Sequence, residues 1–551
     1  MDRLPKNESL RVEFKSDLKC LPDNDIVDTV VGFANTEGGT LYLGIEDDGR
    51  VSGLHPNHSD VLKMTIMVAN KTRPSLPVRA EIAEADGSQV LLIEVPKAQS
   101  IIATSAGKVM KRRLLVNGAP ETVPMFPYEY NSRLADLGKL DFSSQALPET
   151  SVTNDFDVAE VERLKHIIAT RGGEKPLLEL TEEDLFKALG MVTEIGGTTY
   201  PTVTGLLLVG KQGSLAKNLP TAQAAFQVIQ GTEVRVNELS HRPLIATFEF
   251  FEQMLKPWNP EREMEMGLFR IPIPEFDHRA FREALINAFC HRDYSVLQMT
   301  RVLVDDEGLT ISNPGAFISG ITLKTLITAD PHGRNPLLAD ALKRIGLAER
   351  TGRGIDRIFE GSILYGRSLP DYSLSNEDSV TVFIPRSLPD IPFCRMLREE
   401  QSKLPQPFSI NQLLILSALR TNKKLTVSEL TEVTCIPEAK VKASLEKLIE
   451  WGLMDETGTS RNKNYLLSAR IYKATGQSVA YVRQTKIDNV KNPELVHKLI
   501  ETQGYVTIGD VQELLGLNRI QAQYLIRKML KANMIVKEGN TRSAKYVLVG
   551  D

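Results

Sequence analysis

The sequence predicts a multidomain α+β protein, and three observations support this fold class. The chain has 551 residues, which is enough for three or more domains that each bury a core. Helix and strand patterns are mixed in the N-terminal and middle segments. The last quarter instead contains two aligned copies of a pattern in which helices are followed by a hairpin.

The composition is that of an ordinary soluble protein, with 42% hydrophobic and 25% charged residues. No apolar run approaches the roughly 20 residues that cross a bilayer, and the first ten residues are too polar for a signal peptide. We therefore expect a cytoplasmic protein without a membrane partner. Cys20, Cys290, Cys394 and Cys435 are scattered, without a CxxC pair or nearby His partners, which predicts reduced structural thiols rather than a zinc site or disulfides.

Charge is distributed unevenly along the chain. Residues 401–551 contain 22 Lys and Arg residues against 14 Asp and Glu residues, a net charge of +8. Because the whole chain carries −4, residues 1–400 carry −12. Basic segments attract nucleic acid phosphates, although a solvated basic face is the simpler alternative. We therefore expect contacts with DNA to be concentrated in the C-terminal quarter.

Residues 1–135 are predicted to form the first domain. The stretch IVDTVVGFANTEGG predicts a helix closed by glycine, and a strand, TLYLGI, and an acidic turn, EDDG, follow it. A further strand, SQVLLIEVPKA, comes later in the segment. This order of elements predicts a small α+β domain and by itself points to no function.

Three stretches of this segment, ESLRVEFK, FANTEGG and GIEDDGRVSGL, resemble the Schlafen AlbA-type domain. The resemblance implies nucleic-acid binding, with Lys15 supplying positive charge. In eukaryotic Schlafen proteins acidic residues of this domain cleave structured RNA; Glu8 and Glu13 match two of them, and Asp47 or Asp48 falls near the third. Three carboxylates could hold Mg²⁺ or Mn²⁺ and activate water. The alternatives are binding of nucleic acid without cleavage and acidic residues that are solvated caps and turns.

The eukaryotic Schlafen enzymes join two such lobes around their substrate and also carry a zinc site. This chain has one such lobe and no zinc signature. In a ribonuclease of this type, a homodimer could supply the second lobe.

Residues 154–390 are predicted to form a second domain that contains an unusual amphipathic helix. In REALINAFCHRDYS, residues 282–295, one face is apolar, whereas Glu283, Asn287 and His291 share a polar stripe. A buried strand is predicted in YPTVTGLLLVGKQ and a hairpin in TRVLVDDEGLTISNPG. The segment GLAERTGRGIDRIFE is predicted to place glycines at a helix N-terminus, where backbone N–H groups can bind phosphate.

The Glu-x-x-x-Asn helix, the ISNPGAF strand end and the ERTGRGIDRI segment together resemble the GHKL ATPase fold. More narrowly, they resemble a divergent subfamily of bacterial regulators that is often labelled as a DNA helicase C-terminal region, although the chain has no Walker motif. The resemblance implies that Asn287 binds Mg²⁺ and that Glu283 orients or deprotonates the water that attacks ATP. The alternative is an exposed polar face on a core helix. The full set of nucleotide-binding residues that the resemblance implies is Asn287, His291, Arg292, Asn313, Gly315, Gly352, Arg353 and Gly354.

The segment departs from the family pattern at one point. The Asp-x-Gly-x-Gly box, whose Asp reads the adenine amino group, corresponds here to SNPGAF. Asn313 can still hydrogen-bond a base, but it does not imply selectivity for adenine. We expect ATP to be hydrolysed slowly or not at all and to act as a conformational ligand.

Two stretches of the C-terminal quarter align without a gap at an offset of 81 residues, starting at Leu425 and Val506. Apolar positions match in both copies, so each copy is predicted to build the same small core. Each copy is predicted to contain a helix, a short helix, a turn, a longer helix and a basic hairpin. This is the order of elements in a winged helix-turn-helix, whose last helix enters the major groove of DNA. We therefore predict winged helices at 407–475 and 492–551. Winged helices that bind other proteins are the alternative.

The residues predicted to contact DNA lie on the last helix and the hairpin of each copy. They are Lys440, Lys442, Lys447, Arg461, Lys463, Arg519, Gln521, Gln523, Arg527, Arg542 and Lys545. Linkers rich in Pro, Ser and charge are predicted at 136–153 and 388–406.

The leading hypothesis is an ATP-responsive, DNA-binding transcriptional regulator that acts as a homodimer. The alternative is an enzyme, a Schlafen-like metal-dependent ribonuclease that acts on structured RNA in stress or phage defence. A third hypothesis is a scaffold whose winged helices bind protein and whose GHKL fold binds no nucleotide.

Overall fold

The structure of the chain is a computed structural model with two compact units. It describes residues 5–549 except 6, 116–117, 267–268, 319, 330–332, 350–352, 459–462, 475–491, 516, 518 and 539–543. Unit 1 comprises Met1–Gln145, Asp293–Leu297 and Gly333–Asn335, and unit 2 comprises Ala146–Arg292, Gln298–His332 and Pro336–Asp551. Both units combine helices and sheets, which confirms the predicted multidomain α+β class.

Unit 1 is built around a four-stranded sheet. Its regular elements are β1 (Val12–Lys15), α1 (Asp23–Asn35), β2 (Gly39–Leu43), α2 (Val61–Asn70), β3 (Thr72–Arg73), β4 (Arg79–Ala85), β5 (Ser88–Val95), β6 (Ala103–Thr104), β7 (Met110–Leu114), β8 (Pro120–Pro124) and α3 (Pro127–Asp136). The sheet order is β1-β2-β5-β4, with β1 and β2 parallel and the other neighbours antiparallel. The apolar side chains of α1, β2 and β5 form the main core of the unit.

The FANTEGG motif ends helix α1 and ties it to the rest of unit 1. Phe33 is fully buried. The Asn35 side chain donates to the carbonyls of Ile102 and Met110, at 2.7 and 2.9 Å, and accepts from the Ile102 N–H at 2.8 Å. The chain turns at Gly38, which has a φ of +69° and donates its N–H to the Phe33 carbonyl. These contacts confirm the predicted helix closed by glycine and explain its Asn as a structural residue.

Unit 2 contains a five-stranded sheet and most of the helices. Its regular elements are α4 (Val152–Asp155), α5 (Val158–Thr170), α6 (Glu182–Ala188), β9 (Val192–Ile195), β10 (Thr198–Pro201), α7 (Val203–Val209), α8 (Gln212–Asn218), β11 (Ala224–Gln230), β12 (Glu233–Ser240), α9 (Leu244–Leu255), β13 (Glu261–Met266), β14 (Phe269–Pro274), α10 (His278–Cys290), β15 (Thr300–Val304), β16 (Gly308–Pro314), α11 (Pro336–Arg344), α12 (Gly354–Ile363), β17 (Ser379–Pro385), α13 (Ile391–Lys403), α14 (Ile410–Asn422), β18 (Lys424–Thr426), α15 (Val427–Thr434), α16 (Glu438–Glu450), β19 (Met454–Thr457), β20 (Asn464–Leu467), α17 (Ala469–Ala474), α18 (Asn492–Gln503), α19 (Ile508–Leu515), α20 (Arg519–Lys531), β21 (Ile535–Glu538) and β22 (Lys545–Leu548).

The large sheet of unit 2 has the order β12-β11-β15-β16-β17. Strands β11 and β15 are parallel, and the other neighbours are antiparallel. Strands β15 and β16 form the predicted hairpin. Helix α10 contacts both β16 and α12, so the predicted polar stripe lies where the sheet meets the helix that follows the glycines.

One predicted strand is wrong. The apolar run after Tyr200 forms helix α7 rather than a buried strand. Thr202 caps this helix by accepting from the Gly205 N–H at 3.1 Å. A short apolar run is compatible with either a buried strand or a buried helix, and the capping Thr decides between them. Gly205 is also required, because a Cβ there would lie 2.1 Å from the Met191 carbonyl.

The predicted linker at 388–406 is also wrong, because most of it forms helix α13. Asp390 caps this helix by accepting from the Phe393 N–H at 3.1 Å. Cys394 is fully buried in a cluster with Met264 and Ile273 of the β13–β14 hairpin. Arg395 and Glu399 lie on the exposed face of this amphipathic helix, whereas Glu400 is buried. The second predicted linker, 136–153, contains a short helical turn at Phe142–Ser144 and the start of α4.

The C-terminal repeat is confirmed element by element. Helices α15 and α16 and strands β19 and β20 each begin and end 81 residues before α19, α20, β21 and β22. Tyr465 pairs with Leu425 in the first copy, and Tyr546 pairs with Val506 in the second. One matched apolar position differs in burial, since Val433 is 51% exposed. None of the described helices is long and apolar enough to cross a bilayer.

Candidate functional sites

Helices α10 and α12 bring two predicted nucleotide-binding side chains together with Gly354. Helix α10 begins after Asp277, whose carboxylate accepts from two backbone N–H groups of the first turn. Glu283 is only 3% exposed, and Asn287, one turn later, is half-buried. A Cβ on Gly354, the first residue of α12, would lie 3.0 Å from Glu283 Oε2 and 3.4 Å from Asn287 Nδ2. Any residue larger than glycine would therefore press on both polar groups.

The carboxyl group of Glu283 lies in an environment that favours its protonated form. Burial is the main cause that raises the pKa of Glu283 above its ordinary value. Arg282, with its guanidinium 4.0 Å away, and Arg357 of α12 oppose this shift, whereas Glu349 adds to it. A buried carboxyl with a raised pKa is a group that can accept a proton from a water molecule.

The polar residues that follow α10 are engaged in the fold of unit 2. His291 is half-buried at the C-terminal end of the helix, where its N–H donates to a carbonyl one turn earlier. Arg292 is fully buried. Its guanidinium donates to Thr300 Oγ1 at 3.1 Å and to the carbonyls of Thr221 and Gln298. These bonds make Arg292 a structural support for the end of α10.

Of the other predicted nucleotide-binding residues, Asn313 and Gly315 lie at the end of β16, and Arg353 directly precedes Gly354. Asn313, on β16, is 4% exposed and donates to the Pro314 carbonyl at 3.2 Å. Gly315 follows with a φ of +98°, which favours glycine. Arg353 is exposed and occupies the N-cap position of α12, where its side chain makes no capping hydrogen bond. Gly352 lies outside the described residues.

The predicted nuclease carboxylates of unit 1 are held by neighbouring residues. Glu13 is 5% exposed and forms ion pairs with Arg112 at 2.7 Å and with Lys15 at 2.5 Å. Glu8 accepts from the Phe14 N–H at 2.9 Å. Arg112 is itself fully buried, so its charge is directed at Glu13 rather than at solvent.

Glu8 and Asp47 are near enough to interact electrostatically. Burial is the main cause that raises the pKa of Glu8; the Phe14 N–H and Lys15 oppose this, and Glu13 and Asp47 add to it. Within the described part of the chain, however, no group of three or more His, Cys, Asp or Glu side chains is arranged to hold a metal ion. The carboxylates therefore share an acidic region without forming a ready set of metal ligands.

The predicted DNA-binding residues of the first copy lie on α16 and its hairpin. Lys440, Lys442 and Lys447 are exposed on α16. Lys442 is paired with a Glu one turn earlier at 2.6 Å, and Lys463 of the hairpin is paired with Glu456 at 2.9 Å. Ser444, which the helical pattern predicts to be exposed beside these lysines, is buried. Arg461 lies outside the described residues.

In the second copy, α20 presents an exposed face of mixed character. Arg519, Gln521 and Arg527 are exposed, and Gln523 is half-buried. Exposed apolar side chains lie between them, because Ile520 and Tyr524 are 78% and 72% exposed. On the hairpin, Lys545 Nζ lies 3.9 Å from the centre of the Tyr505 ring. Arg542 lies outside the described residues.

Part of unit 1 matches a known protein family. Residues 8–115 match the family model described as "Schlafen, AlbA_2". The chain carries a Schlafen AlbA-type domain. This match spans the acidic region of Glu8 and Glu13 and all of the four-stranded sheet, and it confirms the resemblance drawn from the motifs.

Two further family models match the chain beyond the Schlafen AlbA-type domain. Residues 300–384 match HATPase_c_4, described as "Putative ATP-dependent DNA helicase recG C-terminal", which confirms the second resemblance. This match begins at β15, so helix α10 with Glu283 and Asn287 precedes it. Residues 132–225 match a domain of unknown function, DUF8451.

The solved structures with a similar fold include one that matches over most of the chain. The crystal structure of the DIP2311 protein from Corynebacterium diphtheriae has a TM-score of 0.51 and 20% sequence identity, and the match covers 85% of this chain and 94% of that one. At this identity the likeness concerns the fold alone. A comparison with curated proteins found no match.

Some residues that shape the Schlafen AlbA-type domain have no signal in the local sequence. Arg112, which neutralises Glu13, is 99 residues away from it in the chain, and no local pattern links the two. Sequence spacing also does not reveal that Cys20 Sγ lies 3.9 Å from His58 Nε2. His58 ends a short 3-10 helix, Pro56–His58, and is 38 residues from Cys20 in the chain, so only tertiary structure brings it to the thiol.

Proposed function

We propose that the protein is a nucleotide-responsive DNA-binding regulator of transcription, in which unit 2 binds ATP and the C-terminal copies bind DNA as winged helices. The observation that carries this proposal is the close approach of Gly354 to Glu283 and Asn287 across two helices. A carboxylate, an amide and a glycine at a helix N-terminus are the groups that a magnesium-bound triphosphate needs.

The amide oxygen of Asn287 fits Mg²⁺, which prefers oxygen ligands. Bound there, Mg²⁺ would supply neutralisation of the phosphate charge. Glu283 would hold the proton of an attacking water, because burial already raises the pKa of its carboxyl. Since Glu283 is almost fully buried, a nucleotide would reach it when the first turn of α12 shifts. Such a shift is the proposed conformational signal.

The C-terminal copies supply the proposed DNA contacts. Exposed Lys440 and Lys447 on α16, and Arg519 and Arg527 on α20, occupy the helix that a winged helix places in the major groove. The equal spacing of all elements in the two copies would allow both to use the same mode of docking. A homodimer would present these readers to a two-fold symmetric site.

Titration of the full chain with ATP and Mg²⁺ by calorimetry tests the proposal. The wild type is expected to bind, and Asn287→Ala is expected to bind at least about tenfold more weakly. Asn237→Ala, an exposed Asn on β12, is the matched control and is expected to bind like the wild type. Anisotropy of a labelled duplex, with and without nucleotide, measures the response of DNA binding. Absence of heat in the wild type would refute the nucleotide part, and equal DNA affinity with and without nucleotide would refute the response.

A metal-dependent ribonuclease is the second candidate. The raised pKa of Glu8 and its proximity to Glu13 and Asp47 favour it. Neutralisation of Glu13 by Arg112 and Lys15 weighs against it, because a paired carboxylate is a poor metal ligand. Incubation with tRNA and Mn²⁺ separates the two functions. Cleavage by the wild type that is lost in a Glu8→Gln, Glu13→Gln variant would establish the enzyme.

A further inference from the structure

The thiol of Cys20 in unit 1 is surrounded by groups that the acidic region does not use. His58 Nε2 lies 3.9 Å from Cys20 Sγ, and the Asn57 side chain donates to the same sulfur at 3.6 Å. On the other side of the imidazole ring, His58 Nδ1 lies 2.9 Å from Asp17 Oδ1. Cys20 is half-buried, whereas His58 and Asp17 are 3% and 0% exposed.

Asp17 determines which nitrogen of His58 carries the proton. Its carboxylate already accepts from the backbone N–H groups of Leu21 and His55, at 2.9 and 2.8 Å. A carboxylate that accepts these bonds also accepts from the imidazole, so Nδ1 donates to it. The lone pair of Nε2 is then directed at the Cys20 thiol. This is the order of groups in a nucleophilic thiol, its base and the residue that orients the base.

Two further features suit Cys20 to this role. Its backbone has a φ of +58°, in the left-handed region, at a turn that the Cys20 N–H closes on the Asp17 carbonyl. Asp23 Oδ1 lies 3.9 Å from His58 Nε2 and would stabilise the imidazolium once it forms. The other charged or titratable neighbours are Lys71, which pairs with Asp23 at 3.0 Å, and His55, whose ring lies 6.4 Å from that of His58.

We propose that Cys20 is a reactive thiol that forms mixed disulfides with small-molecule disulfides, with His58 as its base and Asp17 as the positioning residue. His58 takes the thiol proton, and the Cys20 sulfur attacks one sulfur of the disulfide. The bond between the two sulfurs of the small molecule breaks as the new one forms. The departing thiolate takes the proton from His58, so that one thiol and one mixed disulfide result. A disulfide is the substrate class that these groups suit, because its exchange requires no oxyanion stabilisation.

The chain contains a matched internal control. Cys435 is also half-buried and also has a left-handed backbone, with a φ of +55°, but its thiol donates to the Glu432 carbonyl at 3.7 Å. Cys290 and Cys394 are buried, which raises the pKa of their thiols to about 12 and about 11. Their labelling reports whether the chain has unfolded.

The test is incubation of the full chain with oxidised glutathione near neutral pH, followed by peptide mass mapping over time. Cys20 is expected to be modified at least about tenfold faster than Cys435. His58→Ala is expected to reduce this ratio to below about two, and added imidazole is expected to restore part of it. Asp17→Asn is expected to slow Cys20 alone, and Cys20→Ser removes the adduct.

Equal rates at Cys20 and Cys435 in the wild type would overturn the proposal, whatever the variants do. An unchanged Cys20 rate in a folded His58→Ala chain would overturn the role of His58. If labelling of Cys290 and Cys394 shows that His58→Ala has unfolded, Asn57→Ala replaces it as the test. Loss of the Asn57 donor is expected to slow Cys20 about threefold, and an unchanged rate would count against the site.

Discussion

Arg334 and Asp293 form an ion pair of 3.2 Å in which both side chains are almost fully buried, at 2% and 4% exposure. Arg334 also pairs with Asp136, and Ser132 donates to Asp293. These contacts hold the segments Asp293–Leu297 and Gly333–Asn335 within unit 1, far in sequence from its other residues. A buried arginine between two carboxylates is costly to remove, because its loss leaves like charges without compensation.

Arg334→Met is therefore expected to lower the free energy of unfolding of unit 1 by about 3–5 kcal/mol. Hydrogen exchange of peptides from unit 1, measured against urea, gives this value. Arg11→Met is the control within unit 1, because the Arg11 side chain is 63% exposed and its ion pair with Glu37 is worth less than about 1 kcal/mol. Equal effects of the two substitutions would contradict the structural role of Arg334.

The buried carboxyl of Asp136 is expected to make the stability of unit 1 depend on pH. Burial raises the pKa of Asp136 from 3.8 to about 6; Arg334 opposes this shift, and Asp293 adds to it. The folded chain thus keeps a proton that the unfolded chain releases above about pH 4. The contribution of this protonated carboxyl to the free energy of unfolding is fully present below pH 3.8. It is lost as the pH rises to about 6, and it amounts to on the order of 3 kcal/mol in total.

The same exchange experiment at pH values between 4 and 7 measures this loss. Asp136→Asn cannot ionise, so its stability is expected to be flatter across the range. A wild type whose unit 1 gains stability between pH 4 and 6, with no difference from Asp136→Asn, would contradict the environment described for this carboxyl.

Gly354→Ala tests the contact between α12 and the polar side chains of α10. Alanine favours a helix over glycine by about 1 kcal/mol, but its Cβ would lie 3.0 Å from Glu283 Oε2. We expect no gain in stability and at least about tenfold weaker binding of ATP with Mg²⁺. Gly213→Ala in α8, where a Cβ meets open space, is the control and is expected to stabilise the chain by about 0.4–1 kcal/mol. Thermal unfolding and calorimetry check both values. Normal nucleotide binding by a stabilised Gly354→Ala variant would contradict the assignment of α12 to the nucleotide site.

DNA binding is expected to depend on salt through the exposed lysines of α16. Lys440→Ala and Lys447→Ala are each expected to weaken binding severalfold and to reduce the slope of log affinity against log salt by about 0.9. Lys442→Ala is expected to have a smaller effect, because Lys442 is paired with Glu438. Lys187→Ala is the control, because Lys187 is an exposed lysine of α6 that is paired with Glu183 and lies outside both C-terminal copies. It is expected to leave DNA binding unchanged. A slope that no substitution changes would favour a winged helix that binds protein.

The local elements were largely predictable, and the two errors share a cause. The run at Val203–Val209 and the stretch at Ile391–Lys403 were assigned by composition, as strand and linker. In each case a capping side chain, Thr202 or Asp390, starts a helix that composition does not reveal. The position of the capping residue would have been the better signal.

The sequence by itself determined the 81-residue repeat, the β15–β16 hairpin and the helix that ends at the FANTEGG glycines. Each depends on the spacing of apolar residues and on turn residues within one short stretch. The local sequence is therefore enough to predict each of them. Only the tertiary structure decided that Arg112 neutralises Glu13, that Gly354 lies on Glu283, and that His58 faces Cys20. Those pairs are far apart in the chain, and packing of whole elements, rather than any local pattern, brings their charges and lone pairs within reach.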